Sequence, residues 1–382
     1  ADVDGDGWLD LYVANRTGGA IPGAGPSTEP NRLFINQGDG TFVDMYAELG
    51  LTTGLEPTLV GAFIDFDLDG DPDLYEGNDK GSFCAHHRNE LYENVGGTFV
   101  IGDFDRNGWP DMYCTHTPNA PGNTLMTNNG NGMFDLMAPD YGVDSLALSW
   151  GAMFFDHDND GDLALYVNNT YVPDRLYDYQ GSWPAVDIGP DMGTHAGGYS
   201  YNTSSADIDS DGDLDLLVQL MPGTVQLLIN HEGERRNWLK LKIRGEAPNQ
   251  HAIGAHVRIL TGGEWQSSQI LAGGNNYRTQ NSLDQHFGLG DDCTVDKIRV
   301  TWPGGETRTL TDYSVNARYT IHPPAKLGDG DDDEDITTDD LRGLIRAFGP
   351  VRPGTEIYDM DGDARVGPDD LGLLVNKAIT AE

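Results

Sequence analysis

Aspartates at alternate positions recur in seven short loops of this 382-residue chain. The first loop spans residues 2–10 (DVDGDGWLD), and the others begin at Asp65, Asp103, Asp156, Asp207, Asp329 and Asp359. Carboxylates two residues apart on a tightly turned backbone can converge on one hard cation, and Ca²⁺ takes six to eight oxygens at about 2.3–2.6 Å. A lone copy could be a polar turn, because Asp and Gly are common turn residues. Seven copies in one register predict calcium as the cofactor.

In the first five loops, positions 1, 3, 5 and 9 are the predicted side-chain ligands, and position 7 offers a backbone carbonyl. The neutral amide of Asn107 predicts a weaker third site. Ala164 replaces the ninth-position carboxylate of the fourth loop, which predicts the weakest site or an empty one. The predicted ligands are Asp2, Asp4, Asp6, Asp10, Asp65, Asp67, Asp69, Asp73, Asp103, Asp105, Asn107, Asp111, Asp156, Asp158, Asp160, Asp207, Asp209, Asp211 and Asp215.

The last two loops place carboxylates at positions 1, 3, 5 and 12, which is the spacing of an EF-hand loop. Each is followed by apolar residues at helical spacing, beginning at Leu341 and at Leu371. Glu334 and Ala364 stand where glycine is usual at position six, which predicts a reduced affinity. The predicted ligands are Asp329, Asp331, Asp333, Asp340, Asp359, Asp361, Asp363 and Asp370.

Strands must position the first five loops, because residues with period-two alternation follow each of them. A distal hairpin over residues 31–42 returns at residues 89–99 and 123–134. Four short strands per unit describe a blade of a β-propeller. Only 38 residues separate the second loop from the third, so that either this unit is shortened or the sequence carries a deletion.

The repeats resemble the FG-GAP or VCBS repeats of integrin-like seven-bladed propellers. Residues 237–321 resemble the ASPIC/UnbV module that follows such repeats in the cartilage acidic protein family. The segments that carry this second resemblance are 237–239 (NWL), 252–255 (AIGA), 272–274 (AGG), 286–290 (HFGLG) and 300–305 (VTWPGG). The duplicated loop-helix segment resembles a dockerin, in which Asp is common at position 12. With about five units present, the resemblance implies two further blades upstream.

The predicted fold class is therefore mainly β. We expect a partial, N-terminally incomplete β-propeller over residues 1–234, a β-sandwich-like module over 235–322, a linker over 323–328 and a small α-helical EF-hand or dockerin-like domain over 329–382. In the module, Leu239 alternates with Lys240 and Lys242. This alternation predicts one buried and one solvated face, as in an antiparallel sandwich.

The net charge of −39 arises from 23 basic and 62 acidic residues. Nucleic acid and anionic membrane surfaces are therefore unfavourable partners. No apolar run approaches the roughly 18 residues that indicate a membrane span. Many aspartate-rich sites suit millimolar calcium, so we expect a secreted, extracellular or cell-surface protein. The chain begins at Ala1 inside a calcium loop, and we expect it to be the C-terminal part of a longer precursor.

Cys84, His86, His87, Cys114 and His116 form a second group of possible ligands. They could bind zinc or copper. Alternatively, Cys84 and Cys114 could form a disulfide in an oxidising compartment, or all could be unpaired loop residues. Three cysteines is an odd number, which leaves Cys293 without an obvious partner.

The chain has no Gly-x-Ser-x-Gly elbow, His-Glu-x-x-His pair or phosphate-binding Gly-Lys-Ser/Thr loop. The leading hypothesis is a non-catalytic, calcium-stabilised propeller for adhesion or ligand binding. It would take a protein or glycan on its loop face and be tethered to a cohesin-like receptor through residues 329–382. The alternatives are a polysaccharide-active enzyme or accessory subunit delivered to a cohesin scaffold, and a structural surface or matrix component.

Overall fold

The computed structural model describes residues 1–15, 29–51, 58–78, 98–116, 122–194, 199–273, 279–324, 338–351, 358–360 and 365–380. Its N-terminal part is a series of small antiparallel sheets, with two short helices, α1 (Ala138–Tyr141) and α2 (Gly189–Met192). The strands of this part are β1 (Leu11–Val13), β2 (Arg32–Asn36), β3 (Phe42–Asp44), β4 (Thr58–Ile64), β5 (Asp73–Asn78), β6 (Phe99–Gly102), β7 (Asp111–Cys114), β8 (Thr124–Asn128), β9 (Phe134–Leu136), β10 (Leu148–Phe155), β11 (Ala164–Thr170), β12 (Arg175–Asp178), β13 (Val186–Asp187), β14 (Ser200–Ala206), β15 (Asp215–Leu220) and β16 (Thr224–Leu228).

Each sheet contains one predicted calcium loop and is consistent with a propeller blade. We number the sheets as blade 1 (β1-β2-β3), blade 2 (β4-β5), blade 3 (β6-β7-β8-β9), blade 4 (β10-β11-β12-β13) and blade 5 (β14-β15-β16). In blades 2 to 5 the loop joins the first two strands, so that Ile64 pairs with Asp73 beside the loop of blade 2. The mainly β architecture is confirmed, and the seven-bladed ring stays a prediction.

Neighbouring blades share buried side chains, which fixes their order in space. Phe99 of blade 3 packs edge-on against Tyr75 of blade 2, with ring centroids 4.5 Å apart. Phe104 of blade 3 stacks on Phe154 of blade 4 at 5.0 Å. Equivalent clusters join blade 1 to blade 2 and blade 4 to blade 5. Each blade therefore buries its apolar faces against its neighbours in the chain.

The shortened unit lies in a different place from the one that the hairpin pattern predicts. The sequence places Phe99 at the end of the hairpin of blade 2. In the structure it is the first residue of β6, where it pairs with Cys114. Blade 3 is therefore a complete four-stranded sheet. Residues 79–97, which include most of the predicted hairpin of blade 2, lie outside the described part of the chain.

After a 3₁₀ turn at Gly233–Arg235, the module forms two sheets around one core. Their orders are β20-β17-β23 and β19-β18-β21-β22, and β17 pairs with β23 in parallel, which differs from the antiparallel expectation. Lys240, expected in solvent, is only 7% exposed, because a loop of blade 5 covers it. The strands are β17 (Asn237–Ile243), β18 (His256–Thr261), β19 (Glu264–Gln269), β20 (Gln285–Gly290), β21 (Thr294–Thr301), β22 (Thr307–Ser314) and β23 (Ala317–Ile321).

The C-terminal segment contains two packed helices, which confirms the helical spacing. They are α3 (Thr338–Ala347) and α4 (Pro368–Thr380), with a short antiparallel pair, β24 (Gly349–Pro350) and β25 (Arg365–Val366), between them along the chain. Leu344 and Leu374 are buried in their joint core. Ile345 and Phe348, which are also apolar residues at helical spacing, are 54% and 41% exposed. Helical spacing therefore does not by itself bury these side chains.

Gly61 of β4 is a test of the packing between blades 1 and 2. A Cβ at this position would lie 2.3 and 2.5 Å from two ring carbons of Tyr12. Gly61→Ala should lower the free energy of unfolding by roughly 1–3 kcal/mol, because overpacking forces the ring to move. Chemical denaturation in saturating calcium measures it. The control is Gly372→Ala in α4, where nothing lies within 4 Å. An unchanged transition for Gly61→Ala would contradict this packing.

Candidate metal centres

The first five loops share one backbone conformation. Positions 4 and 6 of each loop have positive φ, although four of the position-4 residues are not glycine. Such a backbone is strained for L-residues and persists only where the surrounding structure determines it. The position-4 residues and their φ angles are Gly5 (74°), Leu68 (54°), Arg106 (60°), Asn159 (61°) and Ser210 (67°), and position 6 is glycine with φ of 90–100° throughout.

The position-1 aspartate closes this turn. Asp2 accepts a hydrogen bond from the Gly7 N–H at 2.9 Å. Asp156 accepts the equivalent bond from Gly161 at 2.8 Å, and Asp65 and Asp103 do the same in their loops. Because the carboxylate is fixed by backbone donors, its remaining lone pairs are directed into the loop.

Four of the five loops bring three of their predicted ligands together. In each of four loops, three carboxylates offer oxygens that lie within 4.8 Å of one another. An all-oxygen set of this kind fits a hard cation such as Ca²⁺, and the negative charge of the three carboxylates would balance the positive charge of the ion. The four groups are Asp2, Asp4 and Asp6; Asp65, Asp67 and Asp73; Asp103, Asp105 and Asp111; and Asp156, Asp158 and Asp160.

Burial makes these carboxylates difficult to ionise without a cation. Desolvation is the largest cause, and it raises the pKa of Asp65 and Asp73 to about 6 and that of Asp103 to about 7. Desolvation also raises the pKa of Asp111 and Asp156 well above the usual range, with repulsion from neighbouring carboxylates as a further cause. A bound cation would favour the charged forms.

The position-9 aspartate has a second role that the spacing did not predict. Both oxygens of Asp111 accept backbone hydrogen bonds: one from Phe104 in the loop at 2.8 Å, the other from Asn128 at the end of β8, also at 2.8 Å. Asp10 makes the same pair of bonds in blade 1, with Val3 and Asn36. Asp215 makes them in blade 5, with Ile208 and Asn230. We call this arrangement the loop clamp.

The asparagine held by the loop clamp also contacts the preceding blade. The Asn128 side chain donates to the Phe66 carbonyl in the loop of blade 2 at 2.9 Å. Asn230 donates to the His157 carbonyl in the loop of blade 4 at 2.6 Å. In both cases the acceptor is position 2 of the preceding loop. These two loops are therefore joints between blades as well as predicted ion sites.

The fourth unit lacks both partners of the loop clamp. Ala164 stands at position 9, and the β11–β12 register places Tyr179 where the other units have asparagine. In their place, His157 of the loop lies 3.7 Å from Asp178 of β12. Asp156, Asp158 and Asp160 nevertheless converge. The weak or empty fourth site stays a prediction.

The β module contacts the same face of the blades that carries the loops. Gln269 of β19 donates to the Asp65 carbonyl at 2.8 Å. His286 of β20 shares a hydrogen bond of 2.7 Å with the Asn159 side chain, and the Gly290 N–H donates to the Asn159 carbonyl at 2.7 Å. This interface could not be predicted from the sequence, because its contacts join residues that are distant in the chain.

Cations of the chain itself enter the fourth and fifth loops. Lys240 of β17 forms a buried ion pair with Asp207, the position-1 ligand of the fifth loop. Arg236 pairs with Asp158 at 2.6 Å and with Asp160 at 3.4 Å. Each pair already neutralises part of the charge in its loop. We therefore expect weaker calcium binding there than in the first three loops.

Only part of the EF-hand-like pair is described. Asp340 lies in α3. Asp370 is buried and accepts hydrogen bonds from the N–H groups of Met360 at 2.7 Å and Gly367 at 2.6 Å. The Asp359 carbonyl accepts one from Arg308 of the module at 2.7 Å. The predicted ligands Asp329, Asp331, Asp333, Asp361 and Asp363 lie outside the described residues.

The cysteine and histidine group is described only in part, because residues 79–97, with Cys84, His86 and His87, lie outside the described ranges. Cys114 is a buried free thiol and forms no disulfide in this structure. Burial raises the pKa of this thiol to about 12. His116 is buried, its pKa is lowered to about 4 by desolvation, and it shares a hydrogen bond of 2.9 Å with Thr124. Cys293 is an exposed free thiol.

Comparison with known families agrees with this architecture. Residues 2–76 and 103–167 match the family described as FG-GAP-like repeat, and residues 245–328 match the family described as ASPIC and UnbV. The chain therefore carries FG-GAP-like repeats followed by an ASPIC/UnbV domain. The dockerin-like segment begins at the end of these matches and stays a prediction.

Individual relatives are distant. The chain is 27% identical to human cartilage acidic protein 1 over 309 residues and 26% identical to the Xenopus tropicalis protein over 308 residues. These matches cover 77% of this chain but about two fifths of the relatives, at 40% and 41%. The solved structure of the Vibrio cholerae biofilm matrix protein Bap1 is 12% identical and covers 68% of this chain and 60% of its own, and its TM-score of 0.20 is too low to inform the fold.

The loop clamp predicts different effects for two aspartates of the third loop. Asp111→Ala should destabilise the protein with or without calcium, because the N–H groups of Phe104, Asp105 and Asn128 lose their acceptor. Each buried donor left unpaired costs about 1–3 kcal/mol. Asp105→Ala, the matched control, should lower stability only when calcium is present. Thermal unfolding with calcium and with chelator separates the two, and equal losses for both variants would refute the clamp.

The raised carboxyl pKa values predict a pH dependence that calcium reverses. In chelator-treated protein the folded state binds more protons than the unfolded state between about pH 4 and pH 7, so stability should fall as pH rises through this window. Asp65, Asp73 and Asp103 contribute, with pKa values of about 6, 6 and 7. In saturating calcium, stability should instead rise, because protons compete with the ion. Denaturation at several pH values tests this, and a parallel dependence in both conditions would contradict it.

Proposed function

We propose that this chain is a non-catalytic, calcium-stabilised propeller that binds a protein or glycan ligand and serves in adhesion. The convergence of carboxylates on a shared strained backbone carries this proposal. Seven ions would leave the chain acidic, so an anionic polymer surface is an unfavourable ligand unless calcium bridges the two.

The ions would have a mechanical role. Each would hold together carboxylates that repel one another, in a loop that also contacts the next blade and the β module. Binding that is specific to the folded state stabilises it by mass action, by about 2.7 kcal/mol per site at 100 times the dissociation constant. Calcium would therefore order the interfaces of the protein rather than activate a substrate.

The ligand surface is proposed at the end of the blades opposite the calcium loops, because the β module already contacts the loop face. The β10–β11 register places Phe155 beside the metal loop and Leu148 with Thr170 at the far end. There Tyr171 is 74% exposed, has a positive φ of 72° and meets Tyr199 edge-on at 4.9 Å. An exposed aromatic pair on a strained backbone is typical of binding surfaces.

The proposed setting is outside the cytoplasm, where calcium is abundant. Distant relatives named for cartilage support it. Within the described ranges, no helix is long and apolar enough to cross a membrane. The tail from residue 329 to residue 382 would tether the protein to a cohesin-like receptor, and the packed pair α3 and α4 is compatible with such a module.

Calorimetric titration of calcium into the chelator-treated protein tests the metal part of this proposal. We expect several sites and a large increase in thermal stability. Asp67→Ala should remove one of the tighter sites, whereas Asp209→Ala should affect only a weak one, because Lys240 pairs with its neighbour Asp207. A stoichiometry near two, unaffected by Asp67→Ala, would mean that the propeller loops are ordinary turns.

Retention on immobilised polysaccharides and matrix proteins tests the ligand part. Calcium-dependent retention without product release is expected, and Tyr171→Ala should reduce it while calcium binding is unchanged. Phe42→Ala is the control, since Phe42 is 48% exposed on the outer hairpin of blade 1. Release of reducing sugar that one substitution outside the calcium loops abolishes would instead favour the enzyme alternative.

A further inference from the structure

A histidine lies against the fifth loop and changes the chemistry available there. Asp211, His231 and Glu234 offer three ligand atoms within 4.8 Å of one another. His231 Nδ1 lies 2.7 Å from Glu234 Oε1 and 4.0 Å from Asp211 Oδ2. The other convergent groups named above contain only aspartate. Imidazole with carboxylates suits first-row transition metals, whereas Ca²⁺ prefers oxygen alone.

The backbone holds the three residues in place. Asn230, which precedes His231, is fixed by the loop clamp through Asp215 at 2.9 Å. The Asn230 side chain accepts the Glu232 N–H at 3.1 Å, and the 3₁₀ turn at Gly233–Arg235 then presents Glu234. The group therefore rests on local structure that exists without an ion, as a preorganised site requires.

A buried carboxylate supplies an independent reason for a cation at this place. Asp213 is fully buried, and neither of its oxygens makes a hydrogen bond of normal geometry within the described residues. The Asp213 N–H donates to Asp211 Oδ1 at 3.2 Å, and a Cβ on Gly233 would lie 2.5 Å from the Asp213 Cβ, so Asp213 packs between the fifth loop and the turn that presents Glu234. An uncompensated buried carboxylate is costly, and a divalent cation beside it would offset that cost.

The predicted calcium ligands of the fifth loop, like those of the fourth, are partly engaged by a cation of the chain. Lys240 forms an ion pair with Asp207 at position 1 of this loop. Asp211 at position 5 uses Oδ1 to accept the Asp213 N–H at 3.2 Å, while Oδ2 lies on the side of His231. We propose that Asp211, His231 and Glu234 form a site for a first-row transition-metal dication such as Zn²⁺, which would take Asp211 in place of a calcium ion in the fifth loop.

Occupation of this site would join the fifth loop to the segment that leads into the β module. His231 and Glu234 lie between blade 5 and β17, and Arg236 of the same segment binds Asp158 of the fourth loop. The side chains of His231, Glu234 and Asp211 are 66%, 48% and 24% exposed. The metal would therefore enter from solvent and bind the folded protein without opening it.

Equilibrium dialysis of the full chain against Zn²⁺ in saturating Ca²⁺ tests this proposal. Wild-type protein should bind one zinc equivalent more than His231→Ala, and Glu234→Gln should lose the same equivalent. His251→Ala is the control, because His251 is exposed in a loop of the module and belongs to none of the groups named above. Thermal unfolding in calcium should be the same for His231→Ala and wild type, which excludes misfolding as the cause of a loss.

Substitution with Co²⁺ gives a second measurement that does not depend on counting. Wild-type protein should show a visible absorption band from coordinated Co²⁺, and His231→Ala should lose this band while His251→Ala keeps it. The proposal is overturned if His231→Ala binds as much zinc as wild type, or if excess Ca²⁺ displaces the equivalent that depends on His231. Both outcomes are separable from the number of calcium sites, which is measured in the absence of zinc.

Discussion

Mutual repulsion between carboxylates is the constraint on which the propeller depends. Four of the loops each collect three carboxylates whose oxygens lie within 4.8 Å of one another, and burial removes much of the water that would screen them. Backbone N–H groups hold the position-1 carboxylates in place, but they carry no net charge that could offset the repulsion between the carboxylates. Burial is the largest cause that raises the pKa values of Asp65, Asp103 and Asp156, and repulsion from neighbouring carboxylates raises them further. The loops therefore require protons or cations to be stable.

The loops also connect elements that are otherwise separate. The position-9 aspartate ties its own loop to the end of the third strand, and the asparagine at that end bonds to the loop of the preceding blade. A calcium ion would therefore stabilise a joint between blades as well as a turn. This geometry explains why a repeated loop, rather than a larger apolar core, can organise short strands of two to eight residues.

The five loops differ in what surrounds them. Within the described residues, no cation of the β module forms an ion pair with the position-1 aspartate of the first, second or third loop. By contrast, Lys240 enters the fifth loop and Arg236 enters the fourth. The fourth loop has lost both residues of the loop clamp, and the fifth has gained His231 and Glu234. One repeated sequence pattern thus supports predicted calcium sites, an ion pair with the β module and the proposed transition-metal site, according to the neighbours of each loop.

The sequence by itself determined the repeat, the strands after five loops and the helices after two, because ligand spacing and apolar periodicity are local properties. In four loops, three of the aspartates at the predicted spacing converge. The sequence could not show that Phe99 begins a new blade, that β17 pairs in parallel with β23, or that Lys240 is buried on Asp207. Only the tertiary structure decided these features, because each depends on contacts between residues far apart in the chain. For the same reason, His231 acquires its chemical significance only when the fold places it beside Asp211.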